Sequence, residues 1–599
     1  MFFIFTPPPE QLKKLLFSFL FLVFTCSQVH AQLPPVFSDA YQQMAKKDER
    51  TKVFLSPQKI LWQSTDDKQH IQNPEVLLQA GNGQSDLSNV KGTCLLRSSE
   101  DHTASILLDY GKELHGGLQL VTYFTTEDQK PIKVRLRFGE SAMEAMAEPY
   151  TDQNATNDHA LRDFTIDVPW LGKVEVGNTG FRFVRIDVLT PNADLRLREA
   201  RAAFIFRDIP YLGSFKSSDE RLNQIWETGA YTVHLNMQNY LWDGIKRDRL
   251  VWVGDLHPEV MTVNTVFGYN EVVPKSLDLI RDVTPATEWM NGISSYSMWW
   301  IMIHRDWYQF HGNLAYLKEQ ESYLNELLQK LISYIDKNNR ENLDGNRFLD
   351  WPSSENPQAV HAGLQALLIM TLEAGEELTG ILENHEMQAE CRAAVQRLRQ
   401  YVPDHVGAKQ AAALMALAKL LPAQQANQEV IAKNGAQNFS TFYGYYMLEA
   451  MAQAGDYEGA MEIIRTYWGG MLDKGATTFW EDFDLEMAKN SSAIDEINFE
   501  ETRDIHGDFG EYCYIGYRRS LCHGWAAGPT PWLSEHVLGI QVIEPACKTI
   551  QIIPHLGDLD WAEGTFPTPY GIVKVKHEKD DQGEVQSTIE APEEIKIIR

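Results

Sequence analysis

The segment Trp242 to Glu259, WDGIKRDRLVWVGDLHPE, sets three aspartates (Asp243, Asp248, Asp255) among three cations (Lys246, Arg247, Arg249) and two indoles (Trp242, Trp252). Cleaving a glycosidic bond calls for that set: an acid to protonate the leaving oxygen, a carboxylate to orient water, and flat apolar surface for a pyranose ring. Gly244 and Gly254 disfavour a continuous helix, so the segment reads as a loop. Pro258, with Asp255 or His257 before it, then opens the next helix. The competing reading is an ion-paired connection between helices, because clustered charge alone does not make a site.

A second set of candidates lies further along. Glu481 follows Trp480 in KGATTFWEDFD, beside Asp482 and Asp484, and Asp350 precedes Trp351 in RFLDWPSSEN, where Pro352 favours an extended Trp351. MWWIMIHRDWYQFHGN supplies Trp299, Trp300, His304, Asp306 and Trp307, and SLCHGWAAGPTPW supplies His523 and Trp525. Taken singly, an indole is more readily core and a histidine more readily a satisfied hydrogen-bonding group. Taken together, acids paired with indoles at several helix junctions point to one walled pocket. No spacing matches an EF-hand or a His-x-x-x-His helix, so neither a metal nor a cofactor is expected.

The elements that must hold these residues fall into blocks, since 599 residues exceed what one core supports. Residues 1–31 read as a signal peptide: Lys13 and Lys14 precede LLFSFLFLVFTCS, and Val29-His30-Ala31 suits cleavage before Gln32. The expected location is periplasmic or extracellular, with lipid attachment at Cys26 as the less favoured alternative. No later run is apolar for long enough to span a bilayer. Residues 32–216 carry short β-branched and aromatic runs (TASILLDYG, LQLVTYFT, IKVRLRFGE, FRFVRIDVL) divided by turn residues, which predicts a β-sandwich. From Ser217 the period changes to helical, with Ser217 or Ser218 as the expected N-cap, and ten to twelve helical patterns run to 538. Paired hairpins closing into an (α/α) toroid fit that count better than a solenoid, for which no repeat is visible. Residues 539–599 return to strand patterning and predict a small closing β-sandwich.

Composition excludes some partners. A net charge of -28 leaves no basic footprint for nucleic acid and disfavours strongly acidic polymers. The five cysteines beyond Cys26 have no framework spacing and read as buried thiols. Nothing in the sequence sets the oligomeric state.

SSDERLNQIWE, the motif around RLVWVGD, GATTFWE and SLCHGW, in this order, resemble family 78 glycoside hydrolases, the bacterial α-L-rhamnosidases. DYGKELHGGLQL, RFGES and GFRFVRID resemble that family's preceding β-domain. The resemblance implies a central (α/α)6 barrel flanked by β-sandwiches and single-displacement hydrolysis with inversion, releasing terminal α-L-rhamnose from a glycan or glycoside. It places the general acid on Asp248, where the family has glutamate, and the general base on Glu481. Asp243, Arg247, Trp252, Asp255, Trp299, Asp350, Trp351, Trp480 and His523 are the implied sugar-binding residues, and Glu259 is a less favoured substitute donor. Aspartate at 248 sets the carboxyl roughly 1.5 Å back. Two further readings stay open: a weak or inactive relative that binds glycan, and a hydrolase of a different glycoside on the same fold.

Overall fold

In the computed structural model, residues 48–85, 92–125, 130–148, 161–498 and 502–599 are described; the expected leader and Cys26 lie outside them. Residues Arg50 to Arg599 form one unit. Its first part is an antiparallel sheet of nine strands built on three long ones, Ser105–Thr122, Gly172–Val188 and Asp194–Arg207. The expected sandwich is thus hydrogen-bonded as a single branched sheet. Bulges between Asp109 and Leu114 and between Gly116 and Leu118 let the central strand bend and serve several neighbours. That strand is buried on both faces along most of its length, which explains why its alternation is only partial in sequence.

Strand Ile132–Gly139 runs into Glu140 and Ser141, and the Ser141 hydroxyl accepts from the Glu144 amide to start the short helix Ala142–Met146. The RFGES motif therefore turns Glu140 and Glu144 off the sheet together.

The central part is helical. Joining π turns to the helices they continue, twelve helical segments of nine residues or more follow one another between Glu220 and Val537 among the described residues. The first, Glu220–Asn236, is capped by Asp219, whose carboxylate accepts from the amides of Arg221 and Leu222. The predicted serine caps are corrected: Ser217 ends a strand and its hydroxyl reaches Asn223. Helix Pro357–Ile381 is the longest, with most of its side chains buried.

Strand Ser214–Ser217, just before the first helix, pairs with Trp561–Thr568 and so completes a four-stranded sheet at the other end of the chain. With the three-stranded sheet of Ile540–Glu544, Thr549–Ile552 and Lys596–Ile598, it makes a small β-domain. Among the described residues no helix is long and apolar enough to cross a membrane. Cys94, Cys391, Cys522 and Cys547 are buried free thiols and Cys513 a half-buried one.

Candidate active site

Residues 243–255 form the expected loop, and helix Leu256–Val266 follows it. The loop is closed on itself: the Asp243 amide donates to the Leu250 carbonyl at 3.1 Å, and the Leu250 amide donates to Asp243 Oδ1 at 2.9 Å. Asp248 and Arg249 both take left-handed backbone, φ +55° and +56°, a conformation aspartate tolerates better than most residues. The Asn291 side chain accepts from the Val253 amide and donates to the Val251 carbonyl.

The N-terminal sheet holds the loop from the other side. The Gly180 amide donates to Ile245 at 2.9 Å and Arg249 Nη1 to the Asn178 carbonyl at 2.8 Å. A side chain at Gly180 would lie within 3 Å of Ile245 and the Lys246 amide, so the strand can approach this closely only with glycine there. Lys246 Nζ reaches Glu140 at 2.9 Å and Glu144 at 3.2 Å, and donates to the carbonyls of Tyr517 and Arg519.

Two acids far apart in sequence meet on Arg247. Its Nη2 lies 2.5 Å from Glu481 Oε1, and its Nε lies 3.9 Å from Asp248 Oδ1. Across one planar guanidinium these contacts keep the two carboxylates within about 9 Å of each other. Glu481 Oε2 accepts from the Ser520 amide at 2.9 Å, and Asp248 Oδ2 from Trp252 Nε1 at 3.1 Å. Side-chain exposure is 19% for Asp248 and 5% for Glu481. The proton-donor candidate is thus the more open of the two.

His523 and the remaining aspartates complete the group. His523 Nδ1 donates to the Asp243 carbonyl, which turns its Nε2 toward Asp255 Oδ2 at 3.6 Å and Glu481 Oε1 at 4.0 Å. Burial lowers the His523 pKa, so the ring is neutral. Burial pushes the carboxyls of Asp243 and Asp255 well above the usual range, with neighbouring carboxylates adding to the effect. Asp255 Oδ1 accepts from the Tyr296 hydroxyl at 2.6 Å instead of capping the helix it precedes. Trp525 stands beside His523, its Nε1 donating to the Glu481 carbonyl at 3.0 Å.

Glu259 is completely buried, and neither carboxyl oxygen has a hydrogen-bond partner among the described residues. It lies under the site and cannot serve as a substitute donor. Burial, then Asp255 and Asp243, hold its pKa well above the ordinary value. A carboxyl raised on folding costs nothing below its unfolded pKa and costs progressively more as pH rises past it. Glu259→Gln is therefore expected to melt with wild type near pH 4 and to be more stable by about 1–3 kcal/mol near pH 8. Thermal melts across that range check this; a constant offset at every pH would refute it.

Several sugar-binding expectations are corrected. Trp299 is wholly buried in helix Ser294–His311, stacked on His257 and Tyr446, and Trp480 is wholly buried edge-on to Phe483. Both are core, and the Trp299 helix is covered on every side through most of its length. Asp350 has its acceptors engaged by the Ser353 amide and hydroxyl, Gln410 and Ser440, so it ties helices together instead of offering free oxygens to a sugar. Trp351 is half-buried, packed on Tyr512 at 6.0 Å. Among the described residues, two groupings have metal-like donor sets. In one, Lys246 and Arg162 already lie on Glu140 and Glu144; the other, Glu449, Glu535 and His536, is closed by a His536–Glu449 contact of 3.1 Å.

Residues 210–537 match the model of the bacterial α-L-rhamnosidase six-hairpin glycosidase domain, and residues 539–597 match the bacterial α-L-rhamnosidase C-terminal domain. The chain belongs to the bacterial α-L-rhamnosidase family. Comparison with curated proteins finds no match. Among solved structures, the family 78 rhamnosidase of Bacillus sp. GL1 is similar with 23% identity and a TM-score of 0.70, covering 88% of this chain and 55% of its own. The α-L-rhamnosidase of Dictyoglumus thermophilum follows at 17% identity and 0.66, covering 91% and 58%. A Klebsiella oxytoca rhamnosidase solved with rhamnose bound has 18% identity and 0.63, covering 82% and 97%. This chain spans little more than half the length of the first two.

Within this rhamnosidase family member, sequence reasoning missed residues that act through backbone atoms or across domains. Ser520 holds Glu481 by an amide, and the Cys513 carbonyl accepts from Arg247 at 3.0 Å; neither contact depends on side-chain type. Tyr296 carried no signal beyond its place in a helical run. Glu140 did carry one, since RFGES resembles a family motif, but its partner Lys246 lies over 100 positions away.

Proposed function

We propose that this protein is an exo-acting α-L-rhamnosidase that works by inversion, with Asp248 as general acid and Glu481 as general base. The reading rests on Arg247, whose one guanidinium touches both carboxylates. Their separation of at most about 9 Å is compatible with the roughly 6.5–9.5 Å that leaves room for a water beside the sugar. Asp248, the more open acid, donates to the glycosidic oxygen, steadied by the Trp252 indole. Glu481 takes a proton from water attacking the opposite face, while Asp243, Asp255 and His523 line the ring. Twelve helical segments support the finer architecture, six hairpins closed as an (α/α)6 barrel with the site at the hairpin junctions.

The test is hydrolysis of aryl α-L-rhamnosides with the anomer of the first product read by NMR. Wild type should release β-L-rhamnose, and retention of configuration would sink the mechanism. Asp248→Asn should lose about 10²- to 10⁴-fold on a poor leaving group and far less on a dinitrophenyl one, which needs no proton. Equal losses on both would remove Asp248 from the acid role. The shorter acid favours a second reading, a relative that holds glycan with little turnover. A rate gain in Asp248→Glu would support it, because the restored length would then matter more than the contact with Trp252.

A further inference from the structure

A cleft of about 920 Å³ lies beside the acid pair, not around it. Asp482, next to Glu481, lines it, and so does Tyr512, next to the Cys513 that anchors Arg247. The cleft thus begins one residue from the base on one side and one residue from the anchor of Arg247 on the other. Its size is at the upper end of what a drug-sized ligand fills, roughly 300–1,000 Å³, and exceeds the needs of one sugar ring.

One acid of the lining, Asp482, combines partial burial with the lack of a partner among the described residues. Asp484 caps helix Leu485–Ala488, Glu486 pairs with Lys489, and Asp508 accepts from the Asp504 amide, so each is used by the fold. The Asp482 carboxylate has no hydrogen bond or ion pair among the described residues, although it is only partly exposed. Burial, with Glu481 adding to it against Arg519, pushes its carboxyl up to about 6. Maintaining such a group is a cost unless a ligand hydroxyl meets it. Six acids against three cations line the cleft, so a uronate is repelled. Tyr512, packed nearly parallel to Trp351, provides an aromatic face at its edge.

We propose that this cleft holds the leaving-group side of the substrate and takes a neutral, hydroxyl-rich saccharide, with Asp482 accepting its hydroxyls and Tyr512 carrying one sugar face. The inference rests on the rhamnosidase reading above. Its test compares wild type, Asp482→Asn and Tyr512→Ala on an aryl α-L-rhamnoside, on a rhamnosyl-glucose disaccharide and on its rhamnosyl-glucuronate counterpart. The ratio of kcat/KM on rhamnosyl-glucose to that on the aryl rhamnoside should fall about tenfold in Asp482→Asn, the scale of one hydrogen bond to a charged group, and several-fold in Tyr512→Ala, the scale of one aromatic contact. Wild type should prefer the glucose disaccharide to the glucuronate, and Asp482→Asn should narrow that preference. An unchanged ratio in both variants, or a wild-type preference for the glucuronate, overturns the proposal. Should wild type cleave none of the three, the hydrolytic reading fails on its own, and calorimetric titration with rhamnosyl-glucose decides the cleft: binding weakened about tenfold in Asp482→Asn upholds it, and equal binding overturns it.

Discussion

Replacing Glu481 by glutamine should lower kcat on an aryl α-L-rhamnoside by about 10²- to 10⁴-fold, the usual worth of a general base, with a smaller change in KM. The substitution is isosteric and keeps an acceptor for the Ser520 amide, which lies 2.9 Å from Oε2. It removes the charge facing Arg247, which retains the Cys513 carbonyl at 3.0 Å. The loss should therefore be one of chemistry with folding retained, as thermal melts would report. Azide, which attacks without giving up a proton, should restore turnover and yield β-L-rhamnosyl azide in the variant. Wild-type rates in Glu481→Gln, or an azide adduct of retained configuration, would end the assignment.

That prediction depends on an arrangement only partly legible in the sequence. The loop at 243–255 and the helix after it could be read locally, because Gly244, Gly254 and Pro258 act on their own backbone. The change from strand to helix near residue 217 is equally local, although the cap is Asp219 and not the serines that adjoin it. The meeting of Asp248 and Glu481 on Arg247 is not local: in the sequence only the resemblance joins them, and no spacing argument reaches positions so far apart. The indoles failed for a different reason. Periodicity tells which residues share a face only when another face is polar, and the helix carrying Trp299 is buried from Ser294 through His304. The saturation of Asp350 is invisible from RFLDWPSSEN, because its donors Gln410 and Ser440 lie 60 and 90 positions onward.

The same limit hid the residue on which the site's rigidity turns. Lys246 adjoins Arg247 and is buried against Glu140 and Glu144 from the sheet domain and the carbonyls of Tyr517 and Arg519 from the segment leading to Ser520. One ammonium therefore ties together the loop bearing the acid, the strand end bearing RFGES, and the segment whose amide holds Glu481. Lys246→Met keeps most of the length of the side chain and removes the charge, leaving Glu140 deprived of its cation; burial already raises that carboxyl, and the Lys246 charge is the strongest influence opposing the rise. Breaking a buried pair by deleting one partner typically costs about 3–5 kcal/mol, so the variant should melt well below wild type. Activity should fall further than stability alone explains, because Arg247 and Ser520 lose their shared anchor; kcat measured well below the melting point separates the two effects. Adding Glu140→Gln should recover part of the loss, since the glutamate left without its cation is then neutral, and the pair should be non-additive by more than about 0.5 kcal/mol. Strictly additive losses, or a Lys246→Met variant with wild-type stability and rate, would show that the sheet domain and the catalytic loop merely touch.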